Sequence, residues 1–426
     1  MLKSLFNKVY KPENPIDLDI LTKLPREKYN IFDRLKVFFI ALRSKDKNSI
    51  YFFLSIIKNI LIKIFLIIFF PLIIILKYTK FRFVIVNYWQ IGAYFRQVSN
   101  LYKEQKLNSC KKKFLIYAPK KFVINYEINK IFKKDFIFIE NIFLCSILYI
   151  FFHSELIRYK ILNLDEHDIS SKSYYLNFLF KKKNLKINYI DKEQEKFFFE
   201  KFKKEFFDLK KNDKIISMHV RDKSYYNDNS FRNANIETYF KSINYLLSKD
   251  YKIFHFGNKV QKKLSSHKNY YHIDTTDDKY RDLQLYIIKK SKFFIGTNSG
   301  PYTIANELDV PVLLTNLFPF HGIYSYNKND VTLPKKLIVD GQKVKYEEIF
   351  NDYFQKYLIY SNRRVLDNTD DEILEGVKEI LNNLDSKHEI DVMEKRKNLS
   401  NTLSPNKYAF GKISESYIEK NKDYFN

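Results

Sequence analysis

Glycine, proline and cysteine are all scarce in this chain of 426 residues, which contains 8, 10 and 2 of them. The two cysteines, Cys110 and Cys145, are too few for a disulfide framework or a zinc module, and they favour a reducing compartment. The sequence also lacks an internal repeat and a low-complexity linker, and residues 1–20 lack the apolar run of a signal peptide. These absences exclude a secreted, disulfide-stapled protein and predict that most of the chain stays in the cytoplasm.

Apolar and aromatic residues are plentiful, at 45% and 17% of the sequence, which excludes a disordered chain. The length allows two domains with cores of their own. The formal net charge is +25, from 74 Lys and Arg against 49 Asp and Glu. An A·T-rich genome and an attraction to anionic lipid or phosphate explain this excess equally well. We expect no nucleic-acid partner.

The most apolar stretch is residues 50–76, IYFFLSIIKNILIKIFLIIFFPLIIIL. Its charge-free part, residues 64–76, would form a helix about 20 Å long, which is short of the roughly 30 Å hydrocarbon core of a membrane. Three interpretations stay open: a monotopic anchor, a buried core helix and a true membrane span. The first predicts a peripheral or monotopic protein on the cytoplasmic face of the inner membrane. Four polar residues fall within one arc of a helix, as in an amphipathic helix lying in an interface: Ser55, Lys58, Asn59 and Lys63.

Strand-like runs alternate with helix-length segments through the rest of the chain. This alternation predicts an α/β protein with mainly parallel sheets and right-handed crossovers. The apolar stretch 136–152 is interpreted as core. The strand-like runs lie at the start of 81–103, at 112–119, 214–220, 251–257, 292–296 and 310–315.

The lengths of these segments fit two sheets. We predict a helical region at 1–80 that holds the apolar segment, an α/β domain at 81–195, and a second α/β domain at 196–345. The remaining residues, 346–426, are predicted to form helices that pack back on the domains.

Glycine is concentrated at one place despite its scarcity. Gly296, Gly300 and Pro301 fall within six positions, directly after the strand-like run Phe293, Phe294 and Ile295. Glycine lets another group approach the backbone closely, and proline suits the first turn of a helix. The pattern predicts a strand, a tight turn and a helix whose N–H groups point at a ligand. The predicted turn consists of Thr297, Asn298, Ser299 and Gly300.

A second polar cluster follows the strand at 214–220. His219 and Arg221 point to the same side of that strand, and an arginine there can bind a diphosphate through its planar fork. Surface ion pairs, Arg221 with Asp222 or Arg232 with Glu237, are the alternative. Together with the Gly300 turn, the cluster favours an anion site at the carboxyl ends of the strands. The other candidate donor-binding residues are Lys223, Arg232, Asn233, Gly257 and Asp274; Asp282 is a candidate cap for a helix at 281–290.

Four segments of the sequence, including both polar clusters, resemble a known protein family. "HVRD" (219–222), "RNANIETYFKSINYLLSKDYKIFHFG" (232–257), "RDLQLYIIKKSKFFIGTNSG" (281–300) and "NTDDEILEGVKEI" (368–380) resemble a bacterial family of glycosyltransferases found with surface-polysaccharide biosynthesis genes. "VIVNYWQIGAYFRQ" (84–97) is similar to the opening of heptosyltransferases, and "HVR" is similar to a motif of fucosyltransferases that bind GDP-fucose. All of these families share the GT-B architecture of two facing α/β domains.

The resemblance implies a function and a set of roles. Arg221 and the turn at 297–300 bind the donor diphosphate, and the acceptor enters over Trp89, Gln90 and Gly92. We place Arg221, His219 and Asp222 in the catalytic site. Heptosyltransferases carry an Asp in that first loop, whereas "NYWQIG" has no carboxylate, which leaves the general base unassigned.

We therefore predict a glycosyltransferase that moves a sugar from a nucleotide-diphosphate sugar to a glycan or lipid-linked acceptor, without a metal or another cofactor. A sugar-nucleotide epimerase of the same architecture and an inactive scaffold in polysaccharide assembly are the alternatives. The acidic run Asp165, Glu166, His167 and Asp168 is interpreted as a solvated turn, because consecutive residues rarely converge on one metal ion.

Overall fold

The structure is a computed structural model that describes residues 47–107, 112–159, 166–185, 188–210, 212–222, 231–258, 264, 267–318, 327–345, 363–386 and 411–425. The helices are α1 (Lys47–Ile68), α2 (Phe70–Tyr78), α3 (Ile91–Leu107), α4 (Glu127–Phe132), α5 (Ile142–His153), α6 (Glu166–Lys182), α7 (Lys192–Glu205), α8 (Phe240–Ser248), α9 (Asp278–Lys290), α10 (Gly300–Glu307), α11 (Asp370–Asp385), α12 (Glu415–Lys420) and α13 (Lys422–Phe425). The strands are β1 (Phe81–Ile85), β2 (Lys113–Tyr117), β3 (Ile137–Ile139), β4 (Ile215–His219), β5 (Lys252–Gly257), β6 (Tyr270–Asp274), β7 (Phe294–Gly296), β8 (Val312–Leu317), β9 (Val331–Pro334), β10 (Lys336–Val339), β11 (Gln342–Lys343), β12 (Arg363–Leu366) and β13 (Lys412–Ile413).

The chain forms two compact units. The first unit comprises the residues up to Ile85, together with 112–119 and 139–159. The second comprises residues 86–111, 120–138 and 160–426. The predicted domain boundaries near residues 81, 196 and 346 stay predictions.

Aromatic contacts hold the first unit together. β1 and β2 pair in parallel, and Phe83 of β1 packs against Phe151 and Phe152 of α5, with ring centroids 5.9 and 5.1 Å apart. Phe69, between α1 and α2, packs edge-on against Phe151 at 5.9 Å. The apolar N-terminal helices are therefore packed on α5, which is itself packed on β1.

Among the described side chains of α1 and α2, most of the large apolar ones face outward. Ile62 and Ile73 are buried, whereas the exposed residues of α1 recur three and four positions apart, which places them on one face of the helix. The interpretation of residues 50–76 as a buried core helix does not fit these side chains. The exposed large apolar residues are Ile57, Ile60, Leu61, Ile64, Phe65, Ile67 and Ile68 on α1, Phe69 at the bend, and Phe70, Leu72, Ile75 and Tyr78 on α2.

Within the described ranges, no single helix is both long and apolar enough to cross a membrane. Ile60–Ile68 and Phe70–Tyr78 reach that length and composition only as a pair, and the pair is bent by 71°.

The apolar stretch 136–152, predicted as core, forms β3 and α5. The prediction is right for one face of α5, where Cys145 and Phe152 are buried, and wrong for the opposite face, where Phe143 and Ile147 are exposed. From Ile142 to Phe152 the sequence holds no charged residue that could mark a solvent-facing side. The apolar pattern by itself therefore could not show which face is covered.

The second unit is built on a seven-stranded sheet of order β13-β9-β8-β7-β4-β5-β6, and all of its neighbouring strands are parallel. Its central strands β4, β7 and β8 are fully buried, as their mostly apolar sequences without strict alternation predict. The prediction of an α/β fold with mainly parallel sheets is confirmed.

Some elements of the second unit were not predicted. These are β6, with the sequence YYHID, and the short strands β9–β13, of which β10, β11 and β12 form an antiparallel sheet. Strands of two to five residues with polar members carry too little periodicity to be recognised. The predicted C-terminal helices include α11, which starts with a reciprocal cap between Thr369 and Glu372 and buries Ile373 and Val377 in the core.

One helix start differs from its prediction. α9 begins at Asp278, after the N-cap Asp277, whose side chain accepts a hydrogen bond from the Lys279 N–H. Asp282 lies inside the helix and pairs with Lys201 at 2.8 Å. The proposal that Asp282 caps this helix is therefore wrong.

Candidate functional site

The turn at 297–300 follows the carboxyl end of β7 and is bonded to the neighbouring strand β4. The Thr297 N–H donates to the His219 carbonyl at 3.2 Å. A Cβ atom at Gly296 would lie 2.2 Å from that same carbonyl oxygen. Gly296 is therefore required by the close pairing of β7 with β4.

α10 starts at this turn, and the side chain of its N-cap residue makes no capping hydrogen bond. Ser299 occupies the N-cap position in an extended conformation, with a φ of −148°, and Pro301 lies in the first turn. The Ser299 side chain is 8% exposed, and its Oγ has no hydrogen-bond partner within the part of the chain that the structure describes. The first turn of a helix leaves backbone N–H groups without intrahelical acceptors, which makes such an end a site for anions.

Arg221 is held next to the turn by three hydrogen bonds. Its N–H donates to Thr297 Oγ1 at 3.0 Å, its carbonyl accepts from the Ala234 N–H at 2.8 Å, and its Nε donates to Asn233 Oδ1 at 3.0 Å. The side chain is half-buried. The structure thus fixes the direction of the guanidinium, as the binding of a diphosphate would require.

Arg232 binds the turn itself. Its Nε and Nη2 donate to the Asn298 carbonyl at 3.1 and 2.6 Å. The adjacent Asn233 carbonyl accepts from Lys335 Nζ at 2.6 Å, and this buried lysine also pairs with Asp367 at 2.6 Å. Two arginines that are eleven positions apart in the sequence are therefore brought to one turn. The sequence did not indicate Lys335, because nothing in its surroundings marks it as different from the many other lysines.

His219 lies under this cluster, with 5% of its surface exposed. Its Nδ1 is 2.8 Å from the Phe256 carbonyl, which can only accept, so Nδ1 carries the proton. Burial lowers the pKa of His219 to about 4, although the Phe256 carbonyl and Asp222 act in the opposite direction. A neutral histidine of this pKa is a weak base at pH 7. The geometry favours a structural role for His219, whose hydrogen bond joins β4 to β5. Its predicted catalytic role stays a prediction.

Two further predicted residues end neighbouring strands. Gly257 of β5 and Asp274 of β6 are partners across the strands, and Asp274 Oδ1 accepts from the N–H and hydroxyl of Thr276 at 2.9 and 2.6 Å. Since strands lie about 4.8 Å apart, β6 is about 10 Å from β4 and suits a distal part of a ligand. Lys223 lies outside the described residues, as do Asp165 and the side chains of Glu166, His167 and Asp168.

The predicted acceptor loop meets the turn through two glycines. A Cβ atom at Gly92 would lie 2.7 Å from the Cα of Gly300, and one at Gly300 would lie 2.6 Å from Ile91 Cγ2. α3 and α10 both begin here, so the two helix N-termini are adjacent. Packing against α3 thus explains Gly300 without a ligand. Ahead of Ile91, Gln90 is exposed and Trp89 is half-buried, edge-on to Tyr88.

Beyond the glycines, α3 and α10 are joined by polar contacts that advance along both helices, so the helices run in the same direction. Arg96 Nη2 donates to Thr303 Oγ1 at 3.3 Å. Lys103 Nζ pairs with Glu307 at 2.8 Å, with both side chains fully buried, and Ser99 donates to the same carboxylate. No pattern in the sequence indicated this pair, whose members lie 204 positions apart.

The arrangement is suited to holding an anion. The positive ends of α3 and α10 lie side by side, and Arg221 and Arg232 are fixed at the same turn. Among the described side chains, no three His, Cys, Asp or Glu residues are grouped so that they could hold a metal ion.

No protein-family model and no curated protein matches this chain. Among solved structures, ADP-heptose LPS heptosyltransferase II of E. coli is 11% identical, with a TM-score of 0.41 over 72% of this chain and 100% of that one. A glycosyl transferase of family 9 from Veillonella parvula is 11% identical, with a TM-score of 0.46 over 70% of this chain and 97% of that one. UDP-GlcNAc 2-epimerase from Neisseria meningitidis, bound to UDP-GlcNAc, is 15% identical, with a TM-score of 0.25 over 70% of this chain and 82% of that one. At such similarity, the function has to be inferred from this chain's own residues.

Proposed function

We propose that the protein is a glycosyltransferase that takes its sugar from a nucleotide-diphosphate donor. The observation that carries this proposal is the fixed Arg221, held by Asn233, Thr297 and Ala234 beside the open N-terminus of α10. The resemblance of the segments around "HVRD" and "GTNSG" to glycosyltransferases agrees with it.

The donor diphosphate binds at the turn, in contact with Arg221 and the first N–H groups of α10. As the bond between the anomeric carbon and the β-phosphate oxygen breaks, negative charge accumulates on the leaving diphosphate. Fixed donors at that position stabilise the transition state more than the bound donor, because the diphosphate carries more negative charge in the transition state. The two arginines supply this stabilisation without a metal ion.

The acceptor hydroxyl forms its bond to the anomeric carbon and loses its proton in the same reaction. Asp222 follows Arg221 directly and acts electrostatically on His219, so it is a carboxylate close to the site. We assign to it the role of proton acceptor, because Asp222 is only partly buried, whereas His219 is buried and its Nδ1 is held at the Phe256 carbonyl. The nucleoside and sugar extend toward the ends of β5 and β6, where Asp274 lies.

The acceptor enters over Trp89, Gln90 and Gly92, at the start of α3. We propose a glycan or lipid-linked acceptor, reached from the cytoplasmic face of the inner membrane. The outward apolar faces of α1 and α2 support a peripheral or monotopic membrane contact.

The test starts with a panel of labelled nucleotide-diphosphate sugars, in which transfer or slow donor hydrolysis is expected. Epimerisation of the sugar would point to a different enzyme, and no turnover of any donor would point to an inactive scaffold.

Calorimetric titration with the corresponding nucleotide diphosphates then tests the site. Arg221→Ala should weaken binding about 10- to 150-fold, as expected for the loss of charge-assisted hydrogen bonds worth about 1.5–3 kcal/mol. Arg221→Lys should bind nucleotide diphosphate only slightly better than Arg221→Ala, because lysine lacks the planar guanidinium group. Arg364→Ala, on the exposed part of β12, is the matched control and should bind as the unchanged protein does. Full affinity in a folded Arg221→Ala variant would contradict the assignment.

A further inference from the structure

The exposed apolar face of α5 adjoins the apolar helices α1 and α2. Phe143 is 70% exposed and Ile147 is 49% exposed, although both are large apolar residues on a helix whose other side is buried. They lie four positions apart and therefore share a face. The neighbouring Ile142 and Leu144 are exposed as well.

Contacts within the first unit join α5 to α1 and to the bend before α2. Phe69 packs against Phe151, and the Lys58 ammonium lies 5.1 Å from the centroid of the Tyr149 ring. Three helices of one compact unit therefore expose large apolar side chains together. Exposed apolar surface of this extent marks an interaction site.

The charge around this surface identifies the partner. Residues 47–85 contain no Asp or Glu, and Lys63, Lys77 and Lys80 are exposed on or directly after α1 and α2. Apolar side chains bordered by exposed lysines fit a bilayer with anionic headgroups, because the chains enter the acyl boundary while the ammonium groups stay at the headgroups. A second copy of the chain would present the same positive charge and be repelled.

We propose that α5 is part of the membrane-binding surface, so that α1, α2 and α5 dock together on an anionic bilayer. This inference rests on the membrane contact in the proposed function and extends it from an N-terminal anchor to a face of the folded unit. Docking by three helices fixes the orientation of the unit on the membrane, which a single flexible anchor would not.

The test is co-sedimentation of the full-length protein with phosphatidylcholine vesicles, with and without phosphatidylglycerol. Phe143→Ser combined with Ile147→Ser should lower partitioning into the anionic vesicles tenfold or more, because burying one large apolar side chain is worth about tenfold. Phe207→Ser is the matched control. Phe207 is 78% exposed but lies in the second unit, and its loss should leave partitioning unchanged.

A fluorescent readout locates the face directly. An environment-sensitive dye on Phe143→Cys should shift to the blue with vesicles, whereas the same dye on Phe207→Cys should not shift. Because every substituted side chain is exposed, the variants should keep the circular dichroism and nucleotide-diphosphate affinity of the unchanged protein.

Two outcomes would overturn the inference. If Ile64→Ser with Ile68→Ser abolishes vesicle binding while the α5 variant binds normally, the protein binds the membrane through its N-terminal helices alone. The proposed role of α5 is then wrong. If the α5 variant instead turns a dimer into a monomer and binds vesicles normally, the face is covered by a second copy. Neither outcome touches the donor site, which the Arg221 titrations test separately.

Discussion

Gly296 and Gly300 are close in sequence but are constrained by different neighbours. At Gly296, the atom that a Cβ would meet is a backbone oxygen of β4, which cannot move without breaking the sheet. At Gly300, the nearest atom is the end of the Ile91 side chain, with the Gly92 nitrogen next at 3.2 Å. The first clash is rigid, whereas part of the second can be relieved by a rotamer change.

We therefore expect Gly296→Ala to destabilise the protein more than Gly300→Ala, for which overpacking costs about 1–3 kcal/mol. Adding Ile91→Ala to Gly300→Ala should recover part of the loss, because it removes the nearest atom. Urea unfolding of the single and double variants measures these differences.

The same variants test the role of Gly300 in the site. Since its Cβ position faces Ile91, Gly300→Ala should keep the stabilisation that nucleotide diphosphate gives in a thermal melt. A ligand-induced shift that is lost while the fold is intact would show instead that the phosphate approaches Gly300 itself.

His219 makes stability depend on pH. Its pKa falls from 6.5 to about 4 on burial, so below pH 6.5 the unfolded chain binds a proton that the folded chain does not. The folded state is fully stable above pH 6.5 and loses stability as the pH falls toward 4. Buried His255, whose pKa is also lowered by burial, adds to the same trend.

A histidine with these two pKa values lowers the free energy of unfolding by about 2 kcal/mol when the pH is changed from 7.5 to 5. His219→Asn should reduce the pH dependence of the unfolding free energy by about that amount, while its amide still donates to the Phe256 carbonyl. Urea titrations at the two pH values provide the comparison. An unchanged pH dependence would show that His219 has the same pKa in the folded and the unfolded chain.

At the scale of elements, the contact of α3 with α10 combines a glycine pair at one end with the Lys103–Glu307 ion pair further along. Desolvation lowers the pKa of Lys103, and Glu307 opposes that effect. Removing one partner leaves the other charge buried without compensation, and this costs more than replacing both.

Glu307→Gln should therefore destabilise the protein by about 3–5 kcal/mol. The double change of Lys103→Met with Glu307→Leu should cost clearly less, because no buried charge remains. Chemical unfolding of the two variants decides the question. Equal losses would show that packing volume, and not charge, dominates at this contact.

At the scale of the whole molecule, the net charge of +25 and the exposed apolar helices act on the same partner in different ways. Electrostatic attraction to anionic lipid is screened within about 10 Å at 0.1 M salt and about 3 Å at 1 M salt, whereas apolar burial is not screened. Raising the salt concentration over this range should weaken binding to anionic vesicles and leave a residual fraction bound.

Sedimentation with neutral and anionic vesicles at both salt concentrations measures the two contributions. The bound fraction on neutral vesicles should depend little on salt. Complete release from anionic vesicles at high salt would mean that the apolar faces stay out of the bilayer.

The sequence by itself determined the α/β class and the positions of β4, β5, β7 and β8. These strands are buried on both faces, so their sequences are mostly apolar and can be recognised without a polar face. It also placed a turn at Thr297–Gly300 and polar residues at the end of β4, because glycine and proline directly after a buried strand predict a turn and the start of a helix.

The tertiary structure decided which of these residues meet. Only the fold shows that Arg232 binds the Asn298 carbonyl, that Gly300 packs against Gly92, and that Lys103 pairs with Glu307. It also decided which side of α5 is covered, since a helix that is apolar all round carries no mark of its buried face. Periodicity reports the local environment of a segment, but contacts between distant segments arise only when the sheet and its helices pack together.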